Sequence, residues 1–385
     1  MTNKKEANRE ASRPHVVVRK SWSCRKSLDF SLLLPVLLLI TIGCFFIYDF
    51  TVVNEYAPSK GYYLIRQALF AVLSIVSMLF FSKIDYHQMR FFVAPLVTVV
   101  VFVNLLSSVS GLFEHIRNVE AHLMIGTLDI HMGQLTETTA YLLFAMIMSR
   151  QTGRWVKCIS WVACAILTCA VLLNYPDYMR MFIVCAVVLI LLLVSNPIVA
   201  MTIGSICIIC ISGATYYLHG SLYFSSRIQA WMDPFSDPLG SGRIIIQSMY
   251  AIADGGLLGV GLGKGTMCYA LGKAHSSLIL PAIIQEIGII GAAIILILFL
   301  IFLFRAFLIT IRASDRWGFF LAAAITVRFC IILFLYILGC VNVTPMIIDM
   351  LCPFLSYGGS ALMIDCMLVG ILLSISRYEA ESWRE

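Results

Sequence analysis

Charge is what this chain has least of. Asp, Glu, Lys and Arg make up 12% of its 385 residues, about half the share of an ordinary globular domain, while 60% are hydrophobic. A soluble protein so short of charge could not cover its own surface, which excludes a water-soluble reading in two or three domains. Metal and thiol motifs are missing too. The thirteen cysteines are scattered, several in apolar runs, as at Cys164, Cys169, Cys185 and Cys330. The C-x-x-C pair Cys207 and Cys210 has no second pair, so packing as small hydrophobes is the better reading. His115, His122, His131, His219 and His275 lack the short fixed separations of a zinc site, and no metal ligand is assigned. The sequence shows no internal repeat of the kind that builds duplicated transporters. Its first apolar stretch is too long for a signal-peptide core and lacks a small-residue cleavage site, so no removable leader is expected.

Long apolar runs are present instead. They fall near residues 30–50, 62–82, 91–108, 135–149, 156–173, 181–196, 199–217, 278–304, 318–340 and 359–376, and runs of this length cross the roughly 30 Å hydrocarbon core as helices. The fold class expected is therefore all-α, a polytopic bundle of about ten transmembrane helices. Charge in the connections alternates. Lys83 and Arg90, then Arg150, Arg154 and Lys157, then Arg305, Arg312 and Arg316, then Arg377 and Arg384 fall on the side of the N-terminus. The loops 51–61, 174–180 and 341–358 are nearly free of Lys and Arg. The positive-inside rule then places both termini in the cytoplasm.

The domain reading is a basic cytoplasmic tail over 1–26, a membrane domain over 27–378 and a short cytoplasmic tail over 379–385. The net charge of +6 gathers in the first tail, at Lys4, Lys5, Arg9, Arg13, Arg19, Lys20, Arg25 and Lys26. Trp22 is the one aromatic among them, not the repeated interleaving of a base-stacking surface, so nucleic acid is excluded in favour of anionic lipid headgroups. Two outward connections are long, 109–134 and 218–277. The second is rich in Gly, Pro, Asp and aromatics, which reads as an ordered extracytoplasmic loop. Within the spans, Glu137, Glu286, Arg328 and Asp365 are costly to place against lipid and are expected to face the bundle interior, with Arg328 pairing to an acid. Pro281, near the start of the eighth span, is expected to kink it.

The long loop carries a resemblance. RIQAWMDPFSDPLGSGRIIIQSMYAIADGGLLGVGLGKGT resembles the signature of the SEDS family (FtsW, RodA and SpoVE), which reads R-I-x-A-[FW]-x-D-P, D-P-x-G, then Q-S-x-x-A-I-x-x-G-G-x-x-G-x-G-x-G. Arg227, Ala230, Asp233, Pro234, Asp237, Pro238, Gln247, Ser248, Gly255, Gly256, Gly259, Gly261 and Gly263 all match. LIRQ from Leu64, IDY from Ile84, QLTE from Gln134, YPD from Tyr175, AHSSLILPAIIQEIGIIG from Ala274 and PFLSYGGSALMIDCMLVGILLSISR from Pro353 are similar to family motifs in the same order. The likeness spans roughly residues 28–378.

The resemblance implies a multi-pass protein of the bacterial cytoplasmic membrane that acts in peptidoglycan synthesis during division, shape maintenance or sporulation. It implies lipid II as substrate, polymerised into glycan strands, and a class B penicillin-binding protein transpeptidase as partner. It also leaves room for a divalent cation, since a pyrophosphate leaving group needs cationic or metal stabilisation. Gln134, Glu137, Arg227, Asp233, Gln247, Ser248, Glu286, Ser356 and Tyr357 are the matched positions it assigns to substrate binding. The attacking sugar hydroxyl needs a proton acceptor within hydrogen-bond reach. At the position of the family's catalytic Asp this chain has Ser277, whose hydroxyl has no useful basicity near neutral pH. The family lysine of Q-P-S-E-x-x-K falls on Ala140. Asp254, Asp349 and His275 are the candidates for a relocated base. Three functions stay open at this point: an active glycosyltransferase, a catalytically silent scaffold or regulator of the transpeptidase, and a flippase for the lipid-linked precursor.

Overall fold

The computed structural model describes residues 27–53, 62–109, 122–125, 128–149, 178–195, 228–266, 274–344 and 350–378. Among them are nine α-helices: α1 (Phe30–Val53), α2 (Tyr62–Lys83), α3 (Met89–Val109), α4 (Met132–Ser149), α5 (Tyr178–Ser195), α6 (Arg243–Gly255), α7 (Ile279–Ile311), α8 (Arg316–Cys340) and α9 (Gly359–Ser376). Of these, α1, α2, α7, α8 and α9 are long and apolar enough to cross a membrane. The expected spans at 156–173 and 199–217, both terminal tails, and Cys207 and Cys210 lie outside the described residues.

Each long helix is apolar around most of its circumference, as expected where one face meets protein and the other lipid. Ile65, Leu69, Phe91, Phe92 and Phe304 are exposed on α2, α3 and α7, whereas Leu368, Leu372 and Ile375 of α9 are fully or almost fully buried. α9 is thus the helix most enclosed by its neighbours.

Side-chain ties close the two ends of the bundle. At one end Arg305 Nε donates to Asp29 at 2.7 Å, Ser374 Oγ to Ile84 O at 2.6 Å and Arg377 to Ser82 O at 3.1 Å. Asp315 caps α8 there by accepting from Gly318 N at 3.0 Å, the usual use of a short acid at a helix start. The same carboxylate takes Tyr86 Oη at 2.8 Å. At the other end Gly263 N donates to Asp49 at 3.1 Å, and Trp231 and Asn342 each donate a side-chain N–H to the other's carbonyl at 3.1 Å. The first end gathers the starts of α1, α3 and α8 with the ends of α2, α7 and α9, and carries the basic residues Lys83, Arg90, Arg305, Arg312, Arg316 and Arg377. This is the alternation read from the connections.

Two features depart from the expectations. Two short strands, His122–Ile125 and Leu128–His131, pair antiparallel, where only a loop was expected ahead of α4. The second concerns the kink in α7, which is at Gly288 (φ 72°, ψ 178°) and not at Pro281. Pro281 is the third residue of the helix, where its absent N–H would have had no intrahelical acceptor, so it bends nothing. Unbroken, α7 would run about 50 Å at 1.5 Å per residue, whereas residues 289–311 alone span about 34 Å.

The glycine-rich turn after α6 fills the break. Val260 N and Gly261 N donate to the carbonyls of Gln285 and Glu286 at 2.9 and 3.0 Å, and Ile289 N and Ile290 N donate to the carbonyls of Gly256 and Leu257 at 3.0 and 3.3 Å. Backbone groups freed by the kink are thereby satisfied, which a low-dielectric interior requires. The fit depends on missing side chains: a Cβ on Gly259 would stand 2.1 Å from Glu286 O, and one on Gly288 would stand 2.3 Å from Leu257 O.

Candidate functional site

Four charged side chains from four helices meet inside the bundle. Gln134, Glu137 and Tyr141 are spaced by three and four residues on α4 and so share one face. Arg180 comes from the first turn of α5, Arg328 from the middle of α8 and Asp365 from α9. Arg328 Nε donates to Glu137 Oε1 at 2.9 Å, and Arg328 Nη1 lies in ion-pair contact 2.9 Å from Asp365 Oδ1. Arg180 Nη1 stands 3.5 Å from Glu137 Oε2. Tyr141 Oη donates to Glu137 Oε1 at 2.7 Å, and Gln134 Nε2 donates to Asp365 Oδ1 at 3.0 Å. The expected pairing of Arg328 is present, and it is with two acids.

These groups line a narrow cavity of about 40 Å³ whose apolar wall includes Ile183, Ile332, Met350, Leu351 and Pro353. Two carboxylates and two guanidinium groups cancel in formal charge, the arrangement that makes buried charge tolerable. The side chains of Glu137 and Arg328 are 1% and 2% exposed, whereas Arg180 is 13% exposed and so reaches closest to the opening. Gln134 Oε1 is buried and has no hydrogen-bond partner among the described residues. The cavity does not suit a resident divalent cation. Hard cations take carboxylate oxygens, and here both carboxylates are committed to arginines.

Ser277 sits elsewhere, in the turn ahead of α7, and is buried. Tyr336 Oη donates to Ser277 O at 2.9 Å and accepts from Leu280 N at 3.4 Å. Tyr336 lies two turns beyond Arg328 on α8, which puts it about 12 Å further along the axis. Around Ser277, Ser356 Oγ donates to Ser276 O and accepts from Cys352 N, each at 2.8 Å, and Tyr357 N donates to His275 O at 2.8 Å. The His275 ring stacks on Tyr63 with centroids 4.6 Å apart and meets the Tyr357 ring edge-on at 5.3 Å. Burial pushes its imidazole down to a pKa of about 4.

Sequence-predicted residues thus fall into three groups. Gln134 and Glu137 line the charged cavity. Ser277, His275, Ser356 and Tyr357 form the turn cluster beside α7. Of the others, Asp254 and Glu286 lie beside the helix break and Gln247 and Ser248 on the adjoining α6. There Ser248 Oγ donates to Cys340 O at 2.7 Å, tying α6 to the end of α8. Exposed Asp254 accepts from Gln285 Nε2 at 2.7 Å. Gln247 is half-buried on α6, Glu286 is buried just before the kink, and Asp233 is exposed. Arg227 and Asp349 lie outside the described residues. Arg180 escaped the sequence reading. Its signal was a lone arginine beside an outward connection that otherwise lacks cations.

An all-helical, multi-span membrane protein with a charged interior cavity is the class this fold defines. Comparison with known proteins sharpens it. The family model for FtsW, RodA and SpoVE, described as cell cycle protein, matches residues 30–381. The chain is 30% identical over 356 residues to the probable peptidoglycan glycosyltransferase FtsW of Trichlorobacter lovleyi, covering 90% of this chain and 93% of that one. It is 29% identical over 364 residues to the stage V sporulation protein E of Bacillus subtilis, covering 92% and 98%. Its fold is similar to a chain of a peptidoglycan synthase complex that coordinates polymerization and crosslinking, with TM-score 0.73 at 19% identity over 94% of this chain and all of that one. It is also similar to the rod shape determining protein RodA of Thermus thermophilus, with TM-score 0.66 at 16% identity over 92% and 99%. The chain belongs to the SEDS family, the multi-pass membrane peptidoglycan glycosyltransferases of which FtsW, RodA and SpoVE are members.

Proposed function

We propose that this protein serves peptidoglycan synthesis in the bacterial cytoplasmic membrane by binding lipid II for a class B penicillin-binding protein partner, without polymerising glycan itself. The observation that carries this reading is the contrast between two places about 12 Å apart along α8. The charged cavity keeps Gln134, Glu137, Arg328 and Asp365 in contact, whereas the position of the family's acid holds Ser277, enclosed by Tyr336 and the Ser276–Ser356 turn.

Alternative bases are poorly suited to the task. General bases work best with a pKa near the working pH, and His275 at about 4 is too weak an acceptor for a sugar hydroxyl. Asp254 is exposed and held by Gln285, just before the helix break. Likeness to a chain from a synthase complex that coordinates polymerization and crosslinking supports a crosslinking partner.

The test is glycan polymerisation and lipid II binding by the purified protein, alone and with its transpeptidase. Binding without polymer is expected in both settings, and polymer from the native protein would overturn the silent reading. In that event loss of product in Asp254→Ala or Asp349→Ala would locate the base. Ser277→Asp is expected to give the protein polymerase activity, because it returns a carboxylate to the turn.

A further inference from the structure

We propose that the charged cavity is an internal water site, in which one or two waters bridge the Arg328 guanidinium to the side-chain carbonyl of Gln134. The inference does not depend on the lipid II reading.

Size decides first what can enter. The cavity holds about 40 Å³, whereas a water needs about 10–15 Å³ and a benzene ring takes about 150 Å³. Water fits, and a sugar does not. Charge gives an ion no advantage, because Glu137 and Asp365 already balance Arg180 and Arg328.

Two buried groups supply the contacts. Gln134 Nε2 donates to Asp365 Oδ1 at 3.0 Å and to Ala361 O at 3.4 Å. Both partners are acceptors, so the amide cannot be turned over, and Oε1 has no donor among the described residues. Arg328 Nη1 touches the same Asp365 oxygen at 2.9 Å, but without the alignment of a hydrogen bond. An acceptor and a donor are thus left over, on side chains 3% and 2% exposed, both held against one carboxylate oxygen. A water donates and accepts, so it serves the two at once. Glu137, which also lines the cavity, can accept the further hydrogen bond that an internal water usually makes. Leaving both groups unmade in a low-dielectric interior costs more than fixing a water does. The water is then a joint between α4 and α8, beside the direct contact of Arg328 with Glu137.

The experiment is radiolytic hydroxyl-radical labelling of the full chain in lipid nanodiscs, where a water bound inside a protein yields radicals that oxidise the side chains around it. Met350 lines the cavity and is 4% exposed, while Met78 is 0% exposed and lies outside it. Met350 should be oxidised and Met78 spared. Ile332 stands four residues after Arg328, on the same face of α8, and lines the cavity. Ile332→Phe should therefore fill the space and abolish oxidation of Met350. Thermal melting shows whether that variant folds, and Ile183→Phe, from α5, replaces it if it does not. A folded Gln134→Leu keeps the bulk, removes the acceptor and should lower the oxidation. Met350 spared in the native chain overturns the inference. So does oxidation that persists in a folded, filled variant, since it would come from opening of the chain to bulk solvent. Unchanged oxidation in Gln134→Leu would take Gln134 out of the bridge, and the inference with it.

Discussion

Arg328 is shared by two acids that arrive on different helices, so its loss would be felt on both. Replacing it with Met leaves Glu137 and Asp365 buried and close together with one cation fewer, and breaking a buried pair in this way costs about 3–5 kcal/mol. Thermal unfolding in detergent should show Arg328→Met as strongly destabilised, while Glu137→Gln combined with Arg328→Met recovers part of the loss. His275 makes a prediction of the opposite kind, about protons. Its folded pKa of about 4 lies below the ordinary value of 6.5, so between those values the unfolded chain binds a proton that the folded one refuses. Its contribution to stability is complete above about pH 6.5 and is lost as pH falls toward about 4. His275→Phe keeps an aromatic ring between Tyr63 and Tyr357 and removes the proton site. Melting temperatures across that window should therefore fall less steeply in the variant. Glu137, Arg328 and Asp365 were legible in the sequence because charge inside an apolar run has few ways to survive. Arg180 was not, since an arginine at the edge of a span reads as a loop residue until the helix beside it is seen.

At the scale of elements, the interrupted helix α7 gives the sharpest test. Gly256 (φ 52°) and Gly288 (φ 72°) both adopt backbone conformations that other residues rarely enter, a strain of about 1–3 kcal/mol on substitution. A Cβ at Gly256 meets nothing within 4 Å, whereas one at Gly288 would stand 2.3 Å from Leu257 O. Gly256→Ala should yield a folded, moderately destabilised protein, and Gly288→Ala should lose folded yield on size-exclusion chromatography in detergent. Eight of the nine described helices were readable from apolar length alone, because a membrane span must satisfy its own backbone, whereas α6 lies in the stretch read as a loop. The break was misplaced at Pro281 because proline announces a kink in sequence, while its effect depends on how many residues precede it in the helix. The paired strands His122–Ile125 and Leu128–His131 went unread because four-residue strands carry too few alternations to separate from loop.

For the molecule as a whole, the two ends of the bundle bear different chemistry: Asp315, Arg90 and Tyr86 at one, and exposed Asp233 and Asp237 at the other. Backbone and side-chain donors of Ser241, then Gly240, hold the Asp237 carboxyl below its usual pKa, so it is charged throughout the physiological range. The positive-inside rule puts the basic end in the cytoplasm, so a cysteine introduced at Asp237 is expected to react with a membrane-impermeant maleimide in intact spheroplasts. One at His87 should react only after permeabilisation, and the reverse pattern would invert the topology.

The order in which the chain is made gives the Arg328 contacts a sequence in time. α4 is synthesised long before α8, so Glu137 is already in the bilayer when Arg328 emerges, and a cation that lipid would otherwise reject finds its counter-charge waiting. Asp365 follows on the last helix and meets an arginine already in place. Entry of α9 is then the step that locks the interior, and a chain truncated after α8 would insert but stay loosely assembled.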